Sequence, residues 1–150
     1  MQEEKALQLV SLAQAQKLKE LGFDWEVTNC YLYKNHSDYI SNIHTLSNNQ
    51  YKIKIDWNND CYKDEYVEGI IFSAPSVSLA LKWFRDVKGV PNSIDSEWYD
   101  GSIKIAYIIK YFETENETDC ESDYEHYSTY EEAESALLDA LIEYCEEENK

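Results

Sequence analysis

The chain has 150 residues, with 13 Lys+Arg against 30 Asp+Glu, a formal net charge of −17, 43% hydrophobic residues and 13 Tyr. That length suits one domain, which would bury roughly 70% of its unfolded surface, and the apolar content excludes a wholly disordered chain. The charge opposes direct binding to nucleic acid or an anionic membrane; no apolar run approaches the ~20 residues of a membrane span, and Met1-Gln2-Glu3-Glu4 is not the basic start of a signal peptide, so the expected location is the cytoplasm.

A first helix is expected over 3–21. Ser11-Leu12-Ala13-Gln14 fits a capping box, in which the Ser hydroxyl and the Gln amide satisfy free N–H groups. Ala15, Leu18 and Leu21 make its apolar stripe; Gly22 supplies the left-handed position after it, and Phe23 can fold back on Leu18. If Ser11 is a true cap, residues 3–10 form a separate arm. Residues 25–34 read as a strand with Trp25, Val27, Tyr31 and Tyr33 on one face, followed by a polar stretch over 35–49. The clearest strand is 50–57, where Tyr51, Ile53, Ile55 and Trp57 alternate with Lys52, Lys54 and Asp56. A shorter, more buried strand is expected over 66–72.

A second helix is expected over 75–88, with Pro75 in its first turn, where a missing N–H costs nothing. Val77, Ala80, Leu81, Phe84 and Val87 form its core face with Trp83 beside it; Gly89 ends it and Pro91 bars continuation. Residues 93–99 and 102–112 flank Asp100-Gly101, a strong two-residue hairpin signal. A third helix is expected over 129–147, capped by Thr129. Ala133, Ala136, Leu137, Ala140, Leu141 and Tyr144 line its inner face, while Glu132, Asp139, Glu143, Glu146 and Glu147 lie mainly outside. The order α-β-β-β-α-β-β-α defines an α+β class: a single domain over 1–150, with an antiparallel or mixed sheet of about five strands and three helices packed on it.

The charge is unevenly spread. Residues 1–112 hold 15 acids and 12 bases, whereas residues 113–150 hold 15 acids and one base, Lys150, a net of −14. Within that quarter Glu113, Glu115, Glu117, Asp119, Glu121, Asp123 and Glu125 fall on every second residue. In an extended strand this puts all seven on one face, about 6.6–6.8 Å apart. Two readings stay open: a solvated acidic loop held open by its own repulsion, or a strand edge presenting a row of carboxylates. The row continues the odd register of Ile103, Ile105, Tyr107, Ile109 and Tyr111, so a continuous strand would change from apolar to anionic near Glu113. That change places the end of the ordered strand there, with the chain leaving the sheet.

Chemical motifs are scarce. The four glycines (Gly22, Gly69, Gly89, Gly101) are taken by two helix ends, a strand and a hairpin turn, which leaves none for a phosphate-cradling loop. No pair among Cys30, Cys61, Cys120 and Cys145 is spaced as CxxC, so they read as cytosolic thiols. Cys120, Asp123 and His126 lack an evident fourth metal ligand. Asp56, Asn58 and Asp60 imitate a calcium loop, but Cys61 stands where its glycine belongs and Val67 where its bidentate Glu belongs. His36, His44 and His126 have no nucleophile partner by spacing. No cofactor, metal or catalytic residue is assigned, and a non-enzymatic role is expected.

Ser11–Asp24 (SLAQAQKLKELGFD), Ser73–Val90 (SAPSVSLALKWFRDVKGV) and Tyr127–Leu141 (YSTYEEAESALLDAL) resemble, in this order, three segments shared by a family of small uncharacterised proteins from Bacteroidetes genomes, prophages and other mobile elements. The likeness covers about a third of the chain; Ala13 replaces the family's usual acid and Phe84 its usual Leu, and the acid row is not part of the pattern. The family has no established activity, so no functional residue carries over. What the resemblance implies is origin: an accessory protein of a phage or mobile element acting in a bacterial cytoplasm.

The expected function is binding of a basic protein surface through Glu113, Glu115, Glu117, Asp119, Glu121, Asp123, Glu125, Glu132, Asp139 and Glu143, because carboxylates meet Lys and Arg in strong charge-assisted hydrogen bonds. One alternative is a nucleic-acid mimic that inhibits a host DNA- or RNA-binding or defence protein. A second is an enzyme whose acid–base site leaves no mark in the sequence.

Overall fold

The computed structural model describes residues 8–34, 43–48, 58, 63–64, 67–114 and 117–149, with backbone alone at 32–34, 43–48, 63–64, 67–70, 99, 109–114 and 117–126. Among the described residues the architecture is α+β, with three helices and antiparallel sheets. It resolves into two compact units, Leu9–Pro75 and Ser76–Lys150, with Gln8 belonging to the second.

The first unit begins with α1 (Leu12–Glu20). Its cap is the expected box: Gln14 N–H donates to Ser11 Oγ at 3.2 Å, and Ser11 N–H donates to Gln14 Oε1 at 2.9 Å. The helix therefore starts at Ser11. Residues 8–10 are not helical, which corrects the longer 3–21 span over the described part; residues 1–7 lie outside it. At the other end Gly22, at φ +90°, lets its N–H reach Lys19 O (3.0 Å) while Phe23 N–H reaches Leu18 O (2.9 Å). These two bonds are the Schellman closure, which needs a left-handed residue at that point.

Four strands follow: β1 (Asn29–Lys34), β2 (Ile43–Asn48), β3 (Lys63–Asp64) and β4 (Val67–Ser73), in the spatial order β2-β1-β4-β3, all antiparallel. β4 agrees with the expected 66–72 to within a residue. β2 lies in the stretch read as a polar link, and it forms there because β1 supplies a continuous ladder from Asn29↔Asn48 to Lys34↔Ile43. The strand expected over 50–57 lies outside the described residues. β1 starts later than expected, at Asn29; Val27 before it and Cys30 within it are buried, and Tyr31 is half-buried. A bend at Thr28 separates Val27 from the strand.

Val10, Ala15, Leu18, Leu21, Phe23, Val27, Cys30, Ile71 and Ala74 are buried, and α1 packs on β4. Polar ties complete the unit. Lys19 Nζ donates to Ile71 O at 3.0 Å and lies 5.3 Å from the Phe72 ring centre. Tyr31 donates its hydroxyl to Val10 O at 2.8 Å. Asn58, which imitates a calcium-loop position in the sequence, has a structural task here: its Nδ2 donates to Phe23 O (2.8 Å) and its Oδ1 accepts from Ser73 N–H (2.9 Å).

The second unit contains α2 (Val77–Asp86), β5 (Asn92–Tyr99), β6 (Ser102–Thr114), β7 (Glu117–Tyr127) and α3 (Tyr130–Glu148). α2 starts two residues later than expected. Ser76 is its N-cap, accepting from Leu79 N–H at 3.2 Å, and Pro75 precedes the cap instead of occupying the first turn. A hydroxyl that can accept an orphan N–H is worth about 1 kcal/mol there, whereas proline only avoids a loss. Val77, Ala80, Leu81, Trp83 and Phe84 are buried, with Trp83 and Phe84 edge-to-face at 5.1 Å. Val87, expected in the core, is 51% exposed, because it caps the helix rather than continuing its face.

β5 and β6 meet in the expected hairpin: Asp100 (φ 48°) and Gly101 (φ 76°) both take left-handed conformations and Tyr99 pairs with Ser102, as a type I′ turn requires. β6 is central in the order β5-β6-β7. The helices pack on this sheet, and α3 contributes Ala133, Leu137, Leu138, Leu141, Ile142 and Cys145 to the core. Its buried face is rotated from the expected one: Ala136, Ala140 and Tyr144 are only half-buried, and the larger Leu138 and Ile142 are buried.

Asn58→Ala removes both bonds of a side chain that joins the segment after α1 to β4. The expected loss is about 1–3 kcal/mol, the usual cost of leaving buried polar groups unpaired, seen as a lower urea midpoint with unchanged slope. An unaltered midpoint would show that the bridge carries no stability.

Candidate acidic interface

The acid row does not leave the sheet. β6 continues to Thr114, and the chain returns as β7, paired antiparallel with it. The strand does end within a residue of Glu113, as expected, but the chain turns back along the sheet instead of leaving it, which favours the strand reading of the row over the loop. Acids at every second position leave Thr118, Cys120, Ser122 and Tyr124 between them. That is a period-two pattern, and it contains strand-favouring Thr and Tyr.

The register is specific about the row. Asp119, Glu121 and Asp123 stand opposite Tyr111, Ile109 and Tyr107 in an unbroken ladder. Shifts in register occur on either side, between Phe112 and Thr114 and between Ile105 and Tyr107. Glu117 therefore pairs with Thr114 beyond one irregularity, and Glu125 falls within the other. Glu113 is on β6, and Glu115 lies outside the described residues. The regular part of the row is three residues long rather than seven.

α3 supplies the other expected positions. Thr129 caps it by accepting from Glu132 N–H at 3.2 Å, and Glu131 and Glu132 occupy the first turn, where the helix dipole favours anions. Glu132, Asp139 and Glu143 are all exposed. At 100° per residue they fall within about 40° of one another, in a stripe roughly 16 Å long. Glu147 and Glu148 extend the acidic surface toward a C-terminal end that has no basic residue in its last turn. The arrangement offers carboxylates on a strand and on the helix that follows it in the chain.

A second feature of this unit has no counterpart in the sequence reading. α2, β5 and α3 border an open recess of about 290 Å³, lined in part by Ser78, Arg85, Asn92, Tyr130 and Glu134. Arg85 Nη1 donates to Asn92 Oδ1 at 3.0 Å, and Ser78 Oγ donates to Glu134 Oε2 at 3.0 Å. The available signal was compositional: Arg85 is the only arginine in the chain.

Among the described residues no three His, Cys, Asp or Glu side chains are grouped to hold a metal ion, and no helix is long and apolar enough to cross a membrane. The side chains of Cys120, Asp123 and His126 lie outside the described set. Comparison with protein-family models, curated proteins and solved structures finds no match.

Cys30 and Cys145 are free and buried. Burial pushes the Cys30 thiol up to about 11 from an ordinary 9.0. Burial also raises Cys145, with Lys88 opposing and Glu148 reinforcing the shift. Raised thiols are poor nucleophiles and poor metal ligands at neutral pH. Because the folded chain holds the Cys30 proton more tightly than the unfolded one, the associated stability is complete below the unfolded value of about 9 and is lost as pH rises toward 11. Urea midpoints measured from pH 8 to 11 should fall more for the wild type than for Cys30→Ala. Parallel curves would remove Cys30 as the cause.

Proposed function

We propose that the protein is a non-enzymatic accessory factor that binds a basic protein surface through its acidic C-terminal quarter. The observation that carries this reading is the concentration of 15 acids against one base in residues 113–150, most of them on β7 and α3. Isolated exposed ion pairs contribute only about 0–1 kcal/mol each, so useful affinity requires many of them acting together on one partner. Tyrosines nearby, such as the half-exposed Tyr130, supply rigid contact area of the kind enriched at interfaces. The resemblance to phage and mobile-element proteins supports a partner in a bacterial host.

Charge spacing favours a general basic surface over nucleic-acid mimicry. A carboxylate strand offers one charge per ~6.7 Å, whereas each DNA strand carries one per ~3.4 Å of axis. The register shifts in β7 interrupt even that dilute row, and the α3 stripe is no denser.

The test is capture from host lysate at about 0.1 M salt, followed by a rise to 1 M, where charge screening shortens to about 3 Å. The wild-type chain should retain basic proteins and release them at high salt. A variant with Glu113, Glu115, Glu117, Glu121 and Glu125 changed to Gln, and Asp119 and Asp123 changed to Asn, should retain them at least tenfold less well. Capture that survives both the salt and the substitutions would refute the proposal. Mimicry would be indicated instead if the captured protein binds DNA or RNA and the wild-type chain competes for that site.

A further inference from the structure

Arg85 stands alone as an arginine in a chain with 30 acidic residues, yet among the described residues it forms no ion pair. Its sequence neighbour Asp86 is taken by Lys82. What holds the guanidinium is a neutral amide, Asn92 Oδ1 at 3.0 Å. Asn92 is itself buried, and its Nδ2 donates to Leu81 O (3.2 Å) and Val90 O (3.1 Å). Those two carbonyl acceptors fix which way the amide faces, so its oxygen is held toward the arginine. Arg85, which is exposed, is thereby oriented by a neutral group, and among the described residues one nitrogen of its planar donor fork is engaged.

Glu134 lines the same recess and is treated in the same manner. Its Oε2 accepts from the neutral hydroxyl of Ser78 at 3.0 Å, and among the described residues its carboxylate forms no ion pair. Two opposite charges thus face one space of about 290 Å³ without meeting, each tied to a neutral partner. Leu81 and Leu137, both buried, and the half-buried Ile94 supply the apolar part of the lining, with Tyr130 at the rim. The volume lies just below the ~300–1,000 Å³ range of small-molecule sites, as suits a small ligand.

A ligand that satisfies this lining carries a carboxylate, a nearby ammonium and a small apolar group. We propose that the recess binds a free α-amino acid with an apolar side chain. Its carboxylate accepts from the Arg85 fork, the geometry in which arginine binds carboxylates most strongly. Its ammonium donates to Glu134, and its side chain lies against Leu81, Leu137 and Ile94. A phosphate is disfavoured, because its charge would face the Glu134 carboxylate.

The experiment is titration of the full chain, followed by backbone amide NMR and calorimetry, with leucine, methionine and phenylalanine. Two stripped analogues of leucine serve as comparators: 4-methylpentanoate, which lacks the ammonium, and isoamylamine, which lacks the carboxylate. At least one of the amino acids should shift the amides of Ser78, Ser93, Ile94, Tyr130 and Glu134. Arg85→Gln and Glu134→Gln should each weaken binding about tenfold or more, since each removes at least one charge-assisted hydrogen bond. Both analogues should bind at least tenfold more weakly than leucine. Arg85→Lys, which keeps the charge and loses the fork, should fall between wild type and Arg85→Gln. The proposal is overturned if none of the three amino acids shifts these amides at about ten times a Kd of 1 mM. It is equally overturned if both glutamine variants bind like the wild type, or if 4-methylpentanoate binds as well as leucine. Should Arg85→Gln fail to fold, Glu134→Gln and the two analogues decide the matter.

Discussion

The acidic quarter depends on burial of one face of α3 against the β5–β6–β7 sheet and α2. Leu137, Leu138 and Leu141 are fully buried and Ile142 nearly so. Each contributes about 1.5–3 kcal/mol relative to an exposed side chain. On the opposite face Asp139 and Glu143, and Glu143 and Glu147, are like charges four residues apart. Such pairs oppose the helix by only a few tenths of a kcal/mol each. The apolar face therefore outweighs the repulsion by a wide margin. Most helical stability in proteins comes from packing of an apolar face rather than from propensity; the charge is displayed because the packing beneath it fixes the helix.

The elements legible in the sequence are those closed by local bonds. The Ser11–Gln14 box, the Gly22 closure, the Asp100-Gly101 turn and the Thr129 cap each involve residues no more than five apart. Their chemistry is complete within a short window, so residue type and spacing suffice. Where two local signals competed, as Pro75 and Ser76 did at the start of α2, the residue that satisfies an orphan N–H took the cap position. Asn58 shows the opposite case. Its partners, Phe23 and Ser73, lie 35 and 15 residues away, and nothing in its neighbours specifies either bond. β2 is similar: its polar sequence becomes a strand because β1 is beside it.

The same division runs through the candidate sites. The concentration and alternation of acids are sequence properties and were read directly. That β7 pairs with β6, and that irregular register confines the regular row to Asp119, Glu121 and Asp123, depends on long-range pairing. The recess required three elements to converge. Arg85 could be singled out by counting, but its neutral anchor, Asn92, lies beyond the Gly89 helix end and in the next strand. No spacing rule connects a cation on a helix to an amide whose orientation is set by two carbonyls.

Among the described strands, β7 is at the edge of its sheet, with β6 on one side. An edge exposes unpaired backbone donors and acceptors and invites another chain to add to the sheet. The carboxylates at alternate register positions along this edge make a second copy of the same strand an unfavourable neighbour, since two such rows would be brought to about 4.8 Å of each other. A strand carrying lysine at alternate positions would meet no such penalty. The acids that carry the proposed binding of a basic surface would thus also oppose pairing of β7 with its own copy.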